Sequence, residues 1–365
     1  LRYELHENAV KWYKNKRNGA TDTIEYIHHL HLSGNYDEIS DILFAEGHNL
    51  VTAGHTELYS ILKSLESDDF NKNSWGLIRE LRGDILSLQG RWDEAEIEYD
   101  SAMKSIGKNT MITELSRLLS ARADIAVKRG AMDDALELHR KALEIQISIR
   151  DAVGAAKSYN NMGYIFRRRK DTRHALEVYG NVEELLKSET NPELCDARIR
   201  LSSAFLEMNE LDKSREHALI AYDETKDNGQ DFLHARSRAV LGRYYAKISD
   251  NDLALHHYSG ALEELSKQNN PRSVVEVSIL LGQVLIDAGR NLEASKHYLG
   301  GLAVAEANDF RMMQGELLAR LGAVESDRSQ RMNYLQSSLS VFRELGAVDR
   351  MKDVQNSVHR AIMGN

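Results

Sequence analysis

Met162-Gly163-Tyr164-Ile165-Phe166, followed by Ala175 and Tyr179, returns farther along as Leu241-Gly242-Arg243-Tyr244-Tyr245, followed by Ala254 and Tyr258. The two strings share one register. Its leading small residues are Gly83, Ala123, Gly163, Ser202, Gly242 and Gly282. Twelve residues on stand Ala95, Ala135, Ala175, Ser214, Ala254 and Ala294. Seven further come Ala102, Ala142, Val182, Ala221, Ala261 and Gly301. Successive copies lie 40, 40, 39, 40 and 40 residues apart. A ring falls four residues after the second position at Tyr99, His139, Tyr179, Tyr258 and Tyr298. The physics behind such a register is close packing of paired helices. Small residues let two axes approach, the ring fills the gap beside them, and stacking buries a face that no single pair covers.

The composition agrees. Two prolines in 365 residues suit many helices joined by short turns. The single cysteine, Cys195, cannot form an internal disulfide, which points to a reducing, cytoplasmic setting. No apolar run reaches the roughly 18–20 residues of a membrane span, so no membrane partner is expected. The formal charge of −9 disfavours direct binding of nucleic acid by the whole surface.

The strings around Gly163 and Gly242 resemble the signature of the tetratricopeptide repeat, here with a 40-residue period. The resemblance implies an all-α fold, a right-handed superhelix of stacked helix-turn-helix repeats. About seven such repeats are expected over residues 71–348. The seventh begins irregularly at Leu321-Gly322 and recovers the pattern at Ser338-Leu339, about three residues short between its helices. Residues 349–365 read as a capping helix, with Met351, Val354, Val358 and Ala361 at helical spacing.

Residues 1–70 are helical in pattern but out of register. Leu5, Ala9, Trp12 and Tyr13 form one apolar stripe, Ile24 and Ile27 begin a second, and Gly34-Asn35 and Gly54-His55 read as turns. Tyr26-Ile27-His28-His29-Leu30, then Ser33-Gly34, Tyr36, Ile39 and Ile42-Leu43, resemble the helical linker of the signal-transduction ATPases with numerous domains (STAND). In that family a P-loop ATPase and a winged helix precede such helices, and a superhelical sensor arm follows. No G-x-x-x-x-G-K-[ST] occurs here. The favoured reading is that the ATPase lies outside this chain, before Leu1.

Nothing in the sequence supports catalysis, and no cofactor or metal is expected. His28, His29 and His31, with His6, lack a carboxylate or cysteine at ligand spacing, and read as structural or surface histidines. Cys195 has no basic or histidine neighbour in sequence and reads as an inert thiol. The Arg167-Arg168-Arg169-Lys170 run is the most basic stretch. In tetratricopeptide folds the concave groove is lined by first-helix positions −6, −3, +1, +4 and +5 from the leading small residue. Carried onto this sequence, repeats two to five supply Arg117, Lys128, Lys157, Arg167, Arg168, Arg236, Arg243 and Lys247, against Asp124, Asp196 and Glu207. Repeats one, six and seven supply Glu80, Asp84, Glu276, Asp287, Glu316 and Asp327. Asn160 and Tyr164 map to the same surface, where an asparagine amide is suited to a peptide backbone. The expected function is a non-catalytic sensor arm that takes an anionic ligand or an acidic peptide, or a protein partner, at mid-groove. The alternative is a freestanding adaptor scaffolding a protein complex.

Overall fold

The computed structural model describes residues 2–52, 55–105, 112–187, 191–268, 270–308, 310–345 and 348–363. The turn residue Gly54 and the side chain of Ala361 lie outside the described set. Among the described residues there is no strand. The helices are α1 (Arg2–Lys16), α2 (Ala20–Leu32), α3 (Tyr36–Ile42), α4 (His48–Thr52) and α5 (Leu58–Ser64). Next come α6 (Lys72–Leu88), α7 (Trp92–Ser105), α8 (Ile112–Arg129), α9 (Met132–Ser148) and α10 (Ala152–Arg168). Then follow α11 (Thr172–Leu186), α12 (Pro192–Glu207), α13 (Leu211–Thr225), α14 (Asp231–Lys247) and α15 (Asn251–Lys267). The last are α16 (Pro271–Asp287), α17 (Asn291–Ala307), α18 (Arg311–Val324), α19 (Arg328–Glu344) and α20 (Val348–Met363). Both prolines open a helix, where the missing N–H costs nothing. Asn191 and Asn270 cap those starts by accepting from the amides of Glu193 and Ser273.

The chain forms two compact units, Leu1–Arg169 and Lys170–Asn365. In the first, Ile27, Leu30, Ile39, Leu43, Leu58 and Leu62 share one core with Leu77, Ile78, Leu81 and Ile85 of α6. Buried Arg82 of α6 reinforces the junction by donating to the carbonyls of Leu62, at 3.0 Å, and Leu65, at 3.1 Å. The N-terminal helices are thus welded to the first helix pair. The stripe expected on α1 is corrected by the structure. Leu5 and Trp12 are 62% and 50% exposed, and the packed face is Val10 and Tyr13. His6, Val10 and Tyr13 stand four and three residues apart, so they share the face that α2 receives. There His6 Nδ1 lies 2.8 Å from His29 Nδ1, and Tyr13 stacks on the His29 ring.

The repeat register has a direct steric basis. A methyl group at Gly83 would stand 2.4 Å from Tyr99, at Gly242 2.8 Å from Tyr258, and at Gly282 2.2 Å from Tyr298. Each ring lies in the notch left by the missing side chain sixteen residues earlier. In the fourth copy Ala218 takes the ring position, and the Ser202 hydroxyl donates to the Ser214 carbonyl at 2.7 Å. In the seventh, α18 has 14 residues against 17 for α14 and α16, and Gly322 faces Leu335. Met351, Val354 and Val358 of α20 then pack against Leu335 and Phe342, closing the stack.

The turn within each of the first six helix pairs uses one left-handed residue, and the period puts it at Gly90, Gly130, Lys170, Asn209, Ser249 and Gly289, with φ between 61° and 82°. Glycine meets that need freely, whereas an L side chain pays about 1–2 kcal/mol. Ser249→Gly should therefore stabilise the second unit by about 0.5–1 kcal/mol, after the extra unfolded-state entropy of glycine is subtracted. In a melt this is a rise of about 1–3 °C in the midpoint. An unchanged or lower midpoint would show that the turn carries no strain at Ser249.

The first-helix wall as candidate functional site

Hydrogen bonds spaced by about one period join equivalent faces of successive first helices. Arg243 reaches the Ser203 hydroxyl at 3.5 Å, Arg236 donates to Asp196, and Lys128 donates to Ser87 at 3.1 Å. These are positions that the register assigns to the groove, and they form one wall within each unit.

In the first unit the wall is α6, α8 and α10. Arg117 grips Glu80 with both ends of its guanidinium, Nε to Oε1 at 2.9 Å and Nη2 to Oε2 at 3.0 Å. Glu80 is buried, 4% exposed, and burial raises its carboxyl above the usual range while Arg117 pulls the other way. Arg117 is therefore first a neutraliser of Glu80. His48 of α4 stands 3.8 Å from Glu80 and 3.7 Å from Asp84, and Tyr99 donates to Asp84 at 2.8 Å. The His48, Glu80 and Asp84 group has ligand-type atoms within 4.8 Å of one another. Its oxygens already accept from Arg117 and Tyr99, so it acts as a clamp between α4 and α6.

On α10, Lys157 and Arg168 are exposed and make no ion pair among the described residues. Arg168 lies over the ring of Tyr164, 5.9 Å from its centroid, and donates to its hydroxyl at 3.1 Å. Arg167 is half-buried on the same helix end. Asn160 is 1% exposed, so it belongs to the body of the wall and not to its surface. The third member of the basic run, Arg169, turns away to bind Asp133 at 2.6 Å. One period earlier Arg129 binds Asp93 at 2.5 Å in the same way.

In the second unit the wall is α12, α14 and α16. Asp196 is held between Arg200 and Arg236; burial would raise its carboxyl, but the two guanidiniums keep it below the usual range. Arg243 and Lys247 line a hollow of about 380 Å³ with Glu207, Leu206, Tyr258 and Leu280. Lys247 is exposed. Cys195 is buried, and burial beside Glu224 pushes its thiol up to about 12, so it stays protonated and unreactive.

The sequence tally counted Arg117 and Arg236 as available cations, and the structure engages both with carboxylates. The Arg117 partner escaped notice because Glu80 lies 37 residues away, in a repeat assigned to the acidic end. Register alone carries that signal, since −6 of one copy abuts −3 of the one before.

Residues 114–188 match the family model of the tetratricopeptide repeat. No curated protein matches the chain. Among solved structures, the chain is similar to a STAND protein with a tetratricopeptide repeat sensor from Pyrococcus horikoshii, with a TM-score of 0.65 at 14% identity. That likeness covers 97% of this chain and 55% of the other, so the chain spans little more than half of the STAND protein. It is also similar to the quorum sensor NprR from B. thuringiensis, with a TM-score of 0.61 at 15% identity over 91% and 93% of the two chains. A Rap protein complexed with Competence and Sporulation Factor gives 0.60 at 10% identity over 94% and 98%. At these identities the likeness is one of fold. The all-helical architecture of stacked helix pairs expected from the register is the one observed, and residues 114–188 carry its tetratricopeptide repeat signature.

Proposed function

We propose that this chain is a non-catalytic, cytoplasmic sensor arm of a STAND-type regulator, and that its first-helix wall binds an anionic ligand or an acidic peptide. The observation that carries this reading is on α10, where Arg168 stands exposed over the Tyr164 ring at the helix end and exposed Lys157 stands about three turns earlier, neither with a carboxylate among the described residues. In a chain of net charge −9, such cations attract an anion that the rest of the surface repels. Arg167 extends the basic surface of α10, and in the second unit Arg243 and Lys247 of α14 give that unit's own wall a basic surface. Arg117 and Arg236 hold the carboxylates of Glu80 and Asp196 in place, and Asn160 lies in the body of α10's wall. Likeness in fold to a STAND protein with a repeat sensor, over nearly the whole of this chain, supports the regulatory setting.

Charge reversal tests the reading. Arg168→Glu and Arg243→Glu should each weaken retention of an acidic hexapeptide pool by more than about tenfold at low salt. The thermal midpoint of Arg168→Glu should stay nearly unchanged, because Arg168 is exposed and makes no ion pair among the described residues. Raising the salt should narrow the gap between variant and wild type. Equal retention by wild type and both variants at low salt would place the binding surface elsewhere.

A further inference from the structure

Copies one and two of the repeat differ at one ring. In copy one Tyr99 donates its hydroxyl to Asp84 at 2.8 Å. In copy two the equivalent residues are His139 and Asp124, and the shorter imidazole leaves its Nε2 3.9 Å from Asp124 Oδ1. That is beyond hydrogen-bond reach. His139 is 0% exposed, and neither ring nitrogen has a hydrogen-bond partner among the described residues. Asp124 likewise accepts no hydrogen bond among the described residues, since Lys128 is turned to Ser87 and Arg122 to Asp100. Its side chain is 55% exposed on the wall of α8. Desolvation by the surrounding protein, with Asp84 adding and Lys128 opposing, raises its carboxyl to about 6, so it is charged at neutral pH. An unfilled carboxylate faces the wall one copy away from Tyr164, Lys157 and Arg168, and a buried imidazole with its own bonds unmade stands behind it.

We infer that Asp124, backed by His139, seats a cationic group of the bound peptide, its terminal amine or a basic side chain, while the peptide's acidic end lies on α10. The inference rests on the peptide reading of the first-helix wall and gives that peptide a polarity. An ammonium group supplies the donors that Asp124 lacks, and charge-assisted bonds of this kind are the strong ones. His139 is a positioning residue. Because it cannot reach the carboxylate, it leaves Asp124 open where a tyrosine would close it.

The test uses two hexapeptide pools of the form Lys-x-x-x-Glu-Asp, one with free amines and one with both lysine amines acetylated. Retention on the full chain is read by mass spectrometry. Attraction to basic residues alone favours the acetylated pool, which is more negative, so the two explanations predict opposite signs. Wild type should retain the free-amine pool about tenfold better. Asp124→Asn should abolish that preference, and His139→Tyr should reduce it by rebuilding the Tyr99–Asp84 bond in copy two. Asp124→Asn should keep the wild-type midpoint or exceed it, whereas His139→Tyr should lower it, because Ala123 puts a methyl where Gly83 makes room for Tyr99. Both should still retain the acetylated pool as wild type does. A preference that survives Asp124→Asn, or is absent in wild type, overturns the seat while leaving the basic wall intact. Failure of wild type to retain either pool above Arg168→Glu overturns the peptide reading and the seat together.

Discussion

Truncating Tyr298 to alanine should cost the second unit about 3–5 kcal/mol, the range for removing a large ring from a packed core. The side chain is 0% exposed, and its edge occupies the notch of Gly282, where a methyl group would stand 2.2 Å from Cε1 and 2.6 Å from Cζ. Gly282→Ala approaches the same contact from the other side. Alanine gains about 1 kcal/mol of helix propensity over glycine, but overpacking costs about 1–3 kcal/mol, and the neighbour here is a rigid ring. A net loss is expected. The double variant decides whether the two positions act as one device. With the ring gone the new methyl enters vacated space, so Gly282→Ala should turn from harmful to neutral or helpful in the Tyr298→Ala background. Coupled neighbours show interaction energies of about 0.5–3 kcal/mol. Urea unfolding measures the totals, and hydrogen exchange in α16 and α17 localises them. Strict additivity would mean that the small residue and the ring recur in register for unrelated reasons.

That pair also shows why the fold was legible. Gly83 with Tyr99, Gly242 with Tyr258 and Gly282 with Tyr298 are contacts between residue types that sequence displays openly, at a constant separation of sixteen. A steric requirement met by few residue types survives as a pattern. The α1 face did not, because Leu5 and Trp12 are as apolar as Val10 and Tyr13, and composition does not say which side α2 covers. At the candidate site, register placed the cations on the wall but not their bonds. Among the described residues Arg168 and Lys157 make no ion pair, whereas Arg236 is bound to Asp196 and Arg117 to Glu80. Counting charges along a surface treats these as equivalent. The difference is set by which residue lies one period away, and by how deeply it is buried. The His139 position was visible as a departure from tyrosine, but its consequence is a matter of reach, 3.9 Å against 2.8 Å.

Arg117→Met should destabilise the first unit most strongly at alkaline pH. Breaking a buried pair by removing one partner typically costs about 3–5 kcal/mol, and here about 2–4 is expected, because Arg117 itself is 40% exposed and water screens one side. The sign of the pH dependence follows from Glu80. Burial raises its carboxyl in the folded chain above the ordinary 4.5, against the pull of Arg117. A group raised on folding contributes stability below its unfolded pKa and loses it as pH climbs through the folded value. Without Arg117 the folded value rises further, so the deficit relative to wild type should grow from pH 5 to pH 8. Adding Glu80→Gln removes the buried charge and should recover about half or more of the loss at pH 8, leaving a pH-independent remainder from the amide's unmet bonds. Melts of wild type, Arg117→Met and the double variant across that range separate the roles. If Arg117→Met melts like wild type at pH 8, Glu80 does not depend on it, and Arg117 returns to the set of cations available to a ligand. If the deficit appears and follows pH as described, Arg117 is committed to Glu80, and the anion-binding capacity of the first unit rests on α10.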